Sequence, residues 1–396
     1  MVKPELLAPA GNKERLKWAA AYGADAVYFG VTKFSLRARA GNFTLEEAAE
    51  GISYLHHRGK RGYVTLNVTP YSDEYTELIT TAGELEDMGA DAFIVADMGV
   101  ITALRKVGIK VPLHISTQTN TMSAQTVLAY HELGAKRVNL ARELTFEQVT
   151  DIQNRLKGSG AETEVFAHGA LCFSHSGRCA ISDYLASRSA NRGECAHPCR
   201  WKYALVEEKR PGEYIPVEED GRGLYMFNTR DLAIYRYVPR LAEAGVNSFK
   251  IEGRMKTEHY IAAVTRIYRG ILDGNPMPEE DIKAELLKIR NHGYTEGFMG
   301  GMPNDYCAEK DSVNGTYMLL ATVTDETKGG RRVIRVKNSF TPGTEAELLT
   351  PEGIKPVTIP PVYDAETGEP LARANNQDSC VTDDVLPPFS IIRKPI

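Results

Sequence analysis

Four of the six cysteines in this 396-residue chain, Cys172, Cys179, Cys195 and Cys199, fall within 28 residues, separated by six, fifteen and three residues. Thiols this dense in a chain otherwise poor in cysteine read as metal ligands or catalysts, because a reducing compartment keeps them out of disulfides. Only Cys195 and Cys199 form a close pair of the kind structural zinc uses, while iron–sulfur ligand spacing varies more widely, so spacing alone leaves zinc and iron open. Scattered reduced cysteines that hold nothing are the plainest alternative.

A second set of polar residues recurs at the ends of apolar segments: Asn67, Asp97, Gln118, Arg142, Glu143, His168, Glu252 and Arg254. The segments that must position both sets repeat one unit, an amphipathic helical stretch closed by glycine and followed by an apolar strand. AAYGADAVYFG, LEDMGADAFIVAD, HELGAKRVNLAR and LAEAGVNSFKIEG are its clearest copies. Glycine suits the left-handed helix cap, and the apolar run after it suits a strand covered on both faces. With ELLAPAG, two weaker copies and EVFAH, eight strands are predicted near residues 5–8, 26–29, 63–68, 92–96, 112–116, 137–141, 164–168 and 248–252. Eight strands alternating with helices predict a (β/α)8 TIM-like barrel, with an open doubly wound sheet as the alternative. The barrel domain is expected over 1–312, with an insertion at 172–247 between strands 7 and 8 that carries all four clustered cysteines. That insertion begins just past a strand end, on the loop-bearing face where barrel enzymes build their sites. Side chains at the strand ends converge there, making His168, Glu252, Asp97 and Gln118 the candidates for catalysis and Asn67 a candidate for substrate binding.

After the eighth strand, helical segments are predicted at 256–273 and 279–292. From 313 to 396 the texture changes to short alternating strands broken by Gly, Pro and Asp/Asn turns, the pattern of a small all-β, barrel-like domain. Such a module either grips a partner or caps its neighbour.

The chain is 42% hydrophobic and 25% charged, an ordinary globular composition. No signal-peptide run or membrane span is expected, which places the protein in the cytoplasm without a membrane partner. A net charge of −5 gives no global attraction to nucleic acid, so an RNA partner requires a local basic patch. Arg188, Arg192, Arg200 and Lys202, with Trp201 and Tyr203 as stacking platforms, supply one beside the cysteines; core packing of Trp201 is the rival reading.

Glu164, Phe166, Gly169, Ala170, Leu171, Cys172, Gly177, Cys179, Ile181 and Ser182 together resemble the signature of the collagenase-like peptidase family U32, and the resemblance extends over about residues 1 to 310. The small β domain resembles the C-terminal domain of some members. Better-understood members are iron–sulfur proteins that hydroxylate RNA bases or quinone precursors without molecular oxygen. A chain of this length with one barrel and this tail most resembles the prephenate-dependent tRNA hydroxylases, which form 5-hydroxyuridine at the wobble position. The resemblance implies a [4Fe-4S] cluster on Cys172, Cys179, Cys195 and Cys199, tRNA as partner, and prephenate as a small dicarboxylate co-substrate. Arginine forks and a lysine suit its two carboxylates, and the candidates are Arg37, Arg39, Arg142, Arg254 and Lys256. A redox step would add an electron donor as partner.

Two further readings stay open. A peptidase needs a nucleophile and base or a metal-bound water; no G-x-S-x-G or H-E-x-x-H motif occurs, and Cys172 or Cys179 could serve beside His168 or His175 only without a cluster. The other is a non-catalytic RNA-binding protein with a structural zinc. Cys307 and Cys380 lie outside the signature and are expected to be dispensable.

Overall fold

The computed structural model describes residues 3–35, 41–172, 176–177, 179, 181–198, 218–220, 223–225, 230–301, 315–383 and 386–396. Arg37, Arg39, Cys199, Arg200 and Lys202, together with His175, Trp201, Tyr203 and Cys307, lie outside the described residues.

Seven parallel strands run in chain order: β1 (Glu5–Pro9), β2 (Ala26–Gly30), β3 (Arg61–Leu66), β4 (Ala92–Val95), β5 (Leu113–Ile115), β6 (Ala135–Asn139) and β7 (Glu162–Ala170). After a short antiparallel hairpin, β8 (Glu218–Asp220) and β9 (Gly223–Tyr225), and the strand β10 (Asp231–Ala233), the eighth barrel strand β11 (Ser248–Ile251) pairs with both β7 and β1 and closes the ring. The helices α1 (Lys13–Ala21), α2 (Leu45–His56), α3 (Tyr75–Asp87), α4 (Met98–Lys106), α5 (Ala124–Glu132), α6 (Phe146–Leu156), α7 (Ile181–Ala186), α8 (Val238–Ala244), α9 (Glu258–Leu272) and α10 (Glu279–Lys288) complete the barrel domain. The glycine that ends each repeated unit adopts positive φ, 96° at Gly23 and 108° at Gly245, the conformation that side-chain-bearing residues resist.

Besides the β8–β9 hairpin, two short strands joined to the barrel sheet were not expected. β10 runs antiparallel to the top of β7, and β12 (Tyr294–Thr295) pairs with β10. At three and two residues they are too short to carry a period-2 signal.

The bore of the barrel is charged where most such barrels stack branched apolar side chains. Glu5 on β1 accepts from Tyr63 on β3 at 2.6 Å and pairs with Arg137 on β6 at 2.6 Å. Arg137 also holds Glu162 at 2.8 Å, and Lys250 on β11 holds Glu164 at 3.2 Å. Buried ions are tolerated when they are paired and their remaining lone pairs are hydrogen-bonded, as Ser248 and Asn139 do for Glu164.

The C-terminal domain is a seven-stranded antiparallel sheet of β13 (Tyr317–Lys328), β14 (Arg331–Val336), β15 (Glu345–Leu349), β16 (Ile354–Thr358), β17 (Tyr363–Asp364), β18 (Ser379–Thr382) and β19 (Ser390–Pro395), in the order β16-β15-β19-β13-β14-β18-β17. It packs on α1, α9 and α10. Phe389 meets Trp18 edge to face, Tyr22 donates to the carbonyls of Leu349 and Phe389, and fully buried Arg393 binds Glu285, Glu347 and His259.

Candidate active site at the barrel mouth

His168 lies at the end of β7 and is almost fully buried. Tyr268 donates its hydroxyl to the carbonyl of Ala167 at 2.7 Å, so its oxygen accepts from His168 Nδ1–H at 3.3 Å. That chain fixes the tautomer and leaves Nε2 as a buried acceptor without a partner among the described residues. Tyr260, Tyr268 and Tyr294 pack their rings around the imidazole. Burial, opposed by the charge of Asp231 and reinforced by Lys256, drives its pKa down to about 3, so the ring is neutral near pH 7. It is suited to accept a hydrogen bond, not to carry a proton.

Asp231, on β10, is buried beside it and contacts Lys256 Nζ at 3.4 Å and His292 Nδ1 at 3.3 Å. Glu252 follows β11: its Oε2 accepts from Tyr28 at 3.0 Å and its backbone oxygen from Tyr260 at 2.6 Å. The end of β7 approaches so closely that a Cβ on Gly169 would sit 2.4 Å from the Glu252 carbonyl oxygen, which explains the glycine in the HGAL run.

Across the mouth, Asn67 Nδ2 donates to Gln118 Oε1 at 2.8 Å, joining the ends of β3 and β5. Ser116 donates to the same oxygen at 3.1 Å, and the Gln118 amide nitrogen has no partner among the described residues. Arg142 lies over the ring of Phe166 at 5.6 Å and forms no ion pair among the described residues. Glu143 accepts from the backbone N–H and hydroxyl of Ser176, which pins the start of the insertion to the β6 loop. Gly177 rests on the Gln118 backbone, where a Cβ would lie 1.9 Å from the carbonyl oxygen.

Three expected site residues are engaged by neighbouring protein groups. Asp97 caps α4, accepting from Val100 N–H and from the Tyr75 hydroxyl. Arg254 is buried, with its guanidinium on Ser35, Thr65 and Asn42. Arg192 binds Glu74 through two nitrogens at 2.7 and 3.0 Å, donates to the Thr69 carbonyl and stacks on Tyr71 at 3.9 Å. It ties the insertion to the loop after β3, and the pairing holds the Glu74 carboxyl below its usual range. Arg188 is half-buried with no ion pair among the described residues. Asp231, His292 and the tyrosine wall carry no motif in the sequence, nor does an apolar rim of exposed Tyr71, Met122 and Met255 in the loops after β3, β5 and β11 and Met98 at the start of α4. The only available signal was position just past a strand, since apolar residues carry no chemical signature.

Cys172 is exposed two residues past β7, and Cys179 and Cys195 are half-exposed. The backbone N–H of His197 donates to Cys195 Sγ at 3.4 Å, the kind of contact that stabilises a thiolate. Thiol donors suit either an iron–sulfur cluster or zinc. Among the described residues no three Cys, His, Asp or Glu side chains gather at ligating distance, and Cys199 lies outside them.

A closed parallel barrel with a thiol-bearing insertion over its mouth and a β domain docked on its wall defines a two-domain barrel protein with a polar, mixed-charge mouth. Residues 11–308 match Peptidase family U32, and residues 315–393 match the Peptidase family U32 C-terminal domain. The chain belongs to peptidase family U32. It is 35% identical over 399 residues to tRNA hydroxylation protein P of Escherichia coli (strain K12), covering 89% of this chain and 87% of that protein. It is also 35% identical over 272 residues to the 23S rRNA 5-hydroxycytidine C2501 synthase of the same strain, covering 68% of this chain and 39% of that protein. A protein named Collagenase from Porphyromonas gingivalis (strain ATCC BAA-308 / W83) is 32% identical over 312 residues, covering 75% of this chain and 73% of that protein.

Proposed function

We propose that this chain is an RNA-modifying hydroxylase acting on tRNA, forming 5-hydroxyuridine at the wobble position without molecular oxygen and with prephenate as hydroxyl donor. The observation that carries this reading is the likeness to tRNA hydroxylation protein P, which spans 89% of the chain and so takes in both barrel and C-terminal domain. A [4Fe-4S] cluster on Cys172, Cys179, Cys195 and Cys199 would supply one-electron chemistry at the mouth, fed by an electron donor.

The chain's own residues account for binding. Arg142, half-exposed and free of carboxylates among the described residues, is suited to grip a carboxylate. The Gln118 amide N–H groups are suited to a uracil carbonyl, with Asn67 holding the amide in place. Tyr71, Met98, Met122 and Met255 offer apolar faces on which unstacked bases can rest, and Arg188, Arg200 and Lys202 are the candidates for phosphate contacts. Neutral His168 orients a donor and does not shuttle protons at physiological pH. A tRNA substrate places the protein in the cytoplasm; no helix among the described residues is long and apolar enough to cross a membrane.

The peptidase reading gains no nucleophile–base pair at the mouth among the described residues. His168 faces Tyr268, and the Ser53–His57 contact lies on the exposed face of α2.

Nucleoside mass spectrometry of tRNA from a deletion strain is expected to lose 5-hydroxyuridine derivatives and regain them on complementation. Unchanged levels, with no redundant enzyme present, would overturn the reading. Anaerobically purified protein should be brown, with iron and sulfide in equal amounts; a colourless protein with one zinc would remove the cluster.

A further inference from the structure

We infer that Asp231 is a positioning residue that presents the Lys256 ammonium as an anion clamp at the barrel mouth. This rests on the proposed use of a dicarboxylate co-substrate and names a residue that serves it.

Four separate elements meet at Asp231: His168 from β7, Asp231 itself on β10, Lys256 from the loop between β11 and α9, and His292 from the loop between α10 and β12. The carboxylate is 1% exposed and the lysine side chain 24%, so the pair spans the boundary between core and solvent with its anionic end inside. Burial would raise the Asp231 pKa, but the His292 hydrogen bond and the Lys256 charge hold it down to about 2, so the anchor stays ionised.

Lys256 is fixed at three points. Its Nζ is 3.4 Å from Asp231 Oδ2 and 5.2 Å from the centroid of the Tyr260 ring. Its stem runs past Gly253, where a Cβ would lie 3.1 Å from Lys256 Cγ and 2.6 Å from Tyr260 Cε1; Gly253 also takes φ +152°, which only glycine adopts with ease. A lysine ammonium has three donors, and Asp231 is the one carboxylate that Lys256 contacts among the described residues. A flexible lysine loses rotamer freedom when it captures an anion; one already immobilised by a carboxylate, a ring and a glycine gap loses less and binds more tightly. Arg254, the other cation of this loop, is engaged by Ser35, Thr65 and Asn42, which leaves Lys256 as the ammonium on the mouth face.

The alternative role, a strut tying β10 to the β11 loop, gives different results in a binding experiment on the full-length protein with prephenate as probe. By calorimetry, Lys256→Met and Asp231→Asn are each expected to weaken prephenate binding about tenfold, with the double variant no weaker than Lys256→Met alone and tRNA affinity unchanged. Wild-type affinity in Asp231→Asn, or effects that multiply in the double variant, would overturn the inference. A second measurement needs no variant: prephenate should protect Lys256 from acetylation with acetic anhydride, read by peptide mass spectrometry, and a purely structural lysine would not be protected. Failure of the wild type to bind prephenate also overturns the clamp. A wild type that binds and is protected but leaves tRNA unmodified overturns the hydroxylase reading and leaves the clamp standing.

Discussion

The described thiols fall into two populations that differ in what surrounds each sulfur. Cys172 is exposed and Cys179 and Cys195 half-exposed on the mouth side, whereas Cys380 is buried in the C-terminal core, where burial pushes its thiol up to about 11. Because the thiolate is the reactive form, apo protein treated with iodoacetamide at pH 7.5, read by peptide mass spectrometry, should label Cys172 first and leave Cys380 untouched. Reconstituting an iron–sulfur cluster should protect Cys172, Cys179 and Cys195 together and change nothing at Cys380. Labelling of the three unaltered by reconstitution would remove them as ligands. The clustered cysteines were legible from spacing alone, since thiols are few and their density is itself a signal. The partners of His168 were not, because Tyr268 is a hundred residues away and only the packing of α9 on β7 brings its hydroxyl to Nδ1.

At the scale of elements, the loops that look interchangeable in sequence are held by one buried guanidinium. Arg254 leaves β11 with its carbonyl against Gly11, where a Cβ would lie 2.1 Å from that oxygen, and its Nη2 against Gly30, where a Cβ would lie 2.5 Å away. Its hydrogen bonds then join Ser35 and Asn42, on either side of residues 36–40, to Thr65 on β3. The LLAPAG and VYFG glycines are therefore a socket for Arg254. Gly30→Ala should destabilise the protein by about 1–3 kcal/mol through overpacking, and Arg254→Lys should cost a similar amount because a single compact nitrogen lacks the fork whose two ends reach Ser35 and Asn42. Urea denaturation of each variant checks this; stability within about 0.5 kcal/mol of wild type would mean that the socket relaxes freely. All eight barrel strands were legible, six of them because the helix–glycine–strand unit repeats and two from the apolar runs ELLAPAG and EVFAH. The use of Arg254 as a buried brace was not, since an arginine just past a strand end reads the same whether it faces a substrate or a neighbouring loop. Asp231 escaped for a related reason: β10 is three residues long, and a carboxylate in so short a strand carries no periodic mark.

Over the whole molecule, the C-terminal domain is fastened to the barrel wall by buried hydrogen bonds and ion pairs. With nine Lys and Arg against eleven Asp and Glu over 315–396, it offers no net positive charge to a phosphate backbone, and of its cations Arg393 alone is buried. Arg393 donates to neutral His259 at 2.7 Å and binds Glu285 and Glu347, so α9, α10 and β15 close on one guanidinium. Burial first, then the charge of Arg393, lowers the His259 pKa from 6.5 to about 3. His168 is lowered to about 3 and His114 well below its usual value, burial being the main cause in each. Between about pH 6.5 and 3 the unfolded chain therefore binds more protons than the folded one at His259 and His168, and His114 acts in the same direction below pH 6.5. Stability is then full above pH 6.5 and is lost as the pH falls towards 3, at up to about 1.4 kcal/mol per pH unit for each histidine. His259→Gln keeps an acceptor for Arg393 and removes the titration, so its unfolding free energy, measured in urea from pH 7 to pH 5, should fall less steeply than that of wild type by about one proton's slope. A slope equal to wild type would show that His259 is protonated in the folded protein, and the Arg393 latch would then have to rest on its two carboxylates alone.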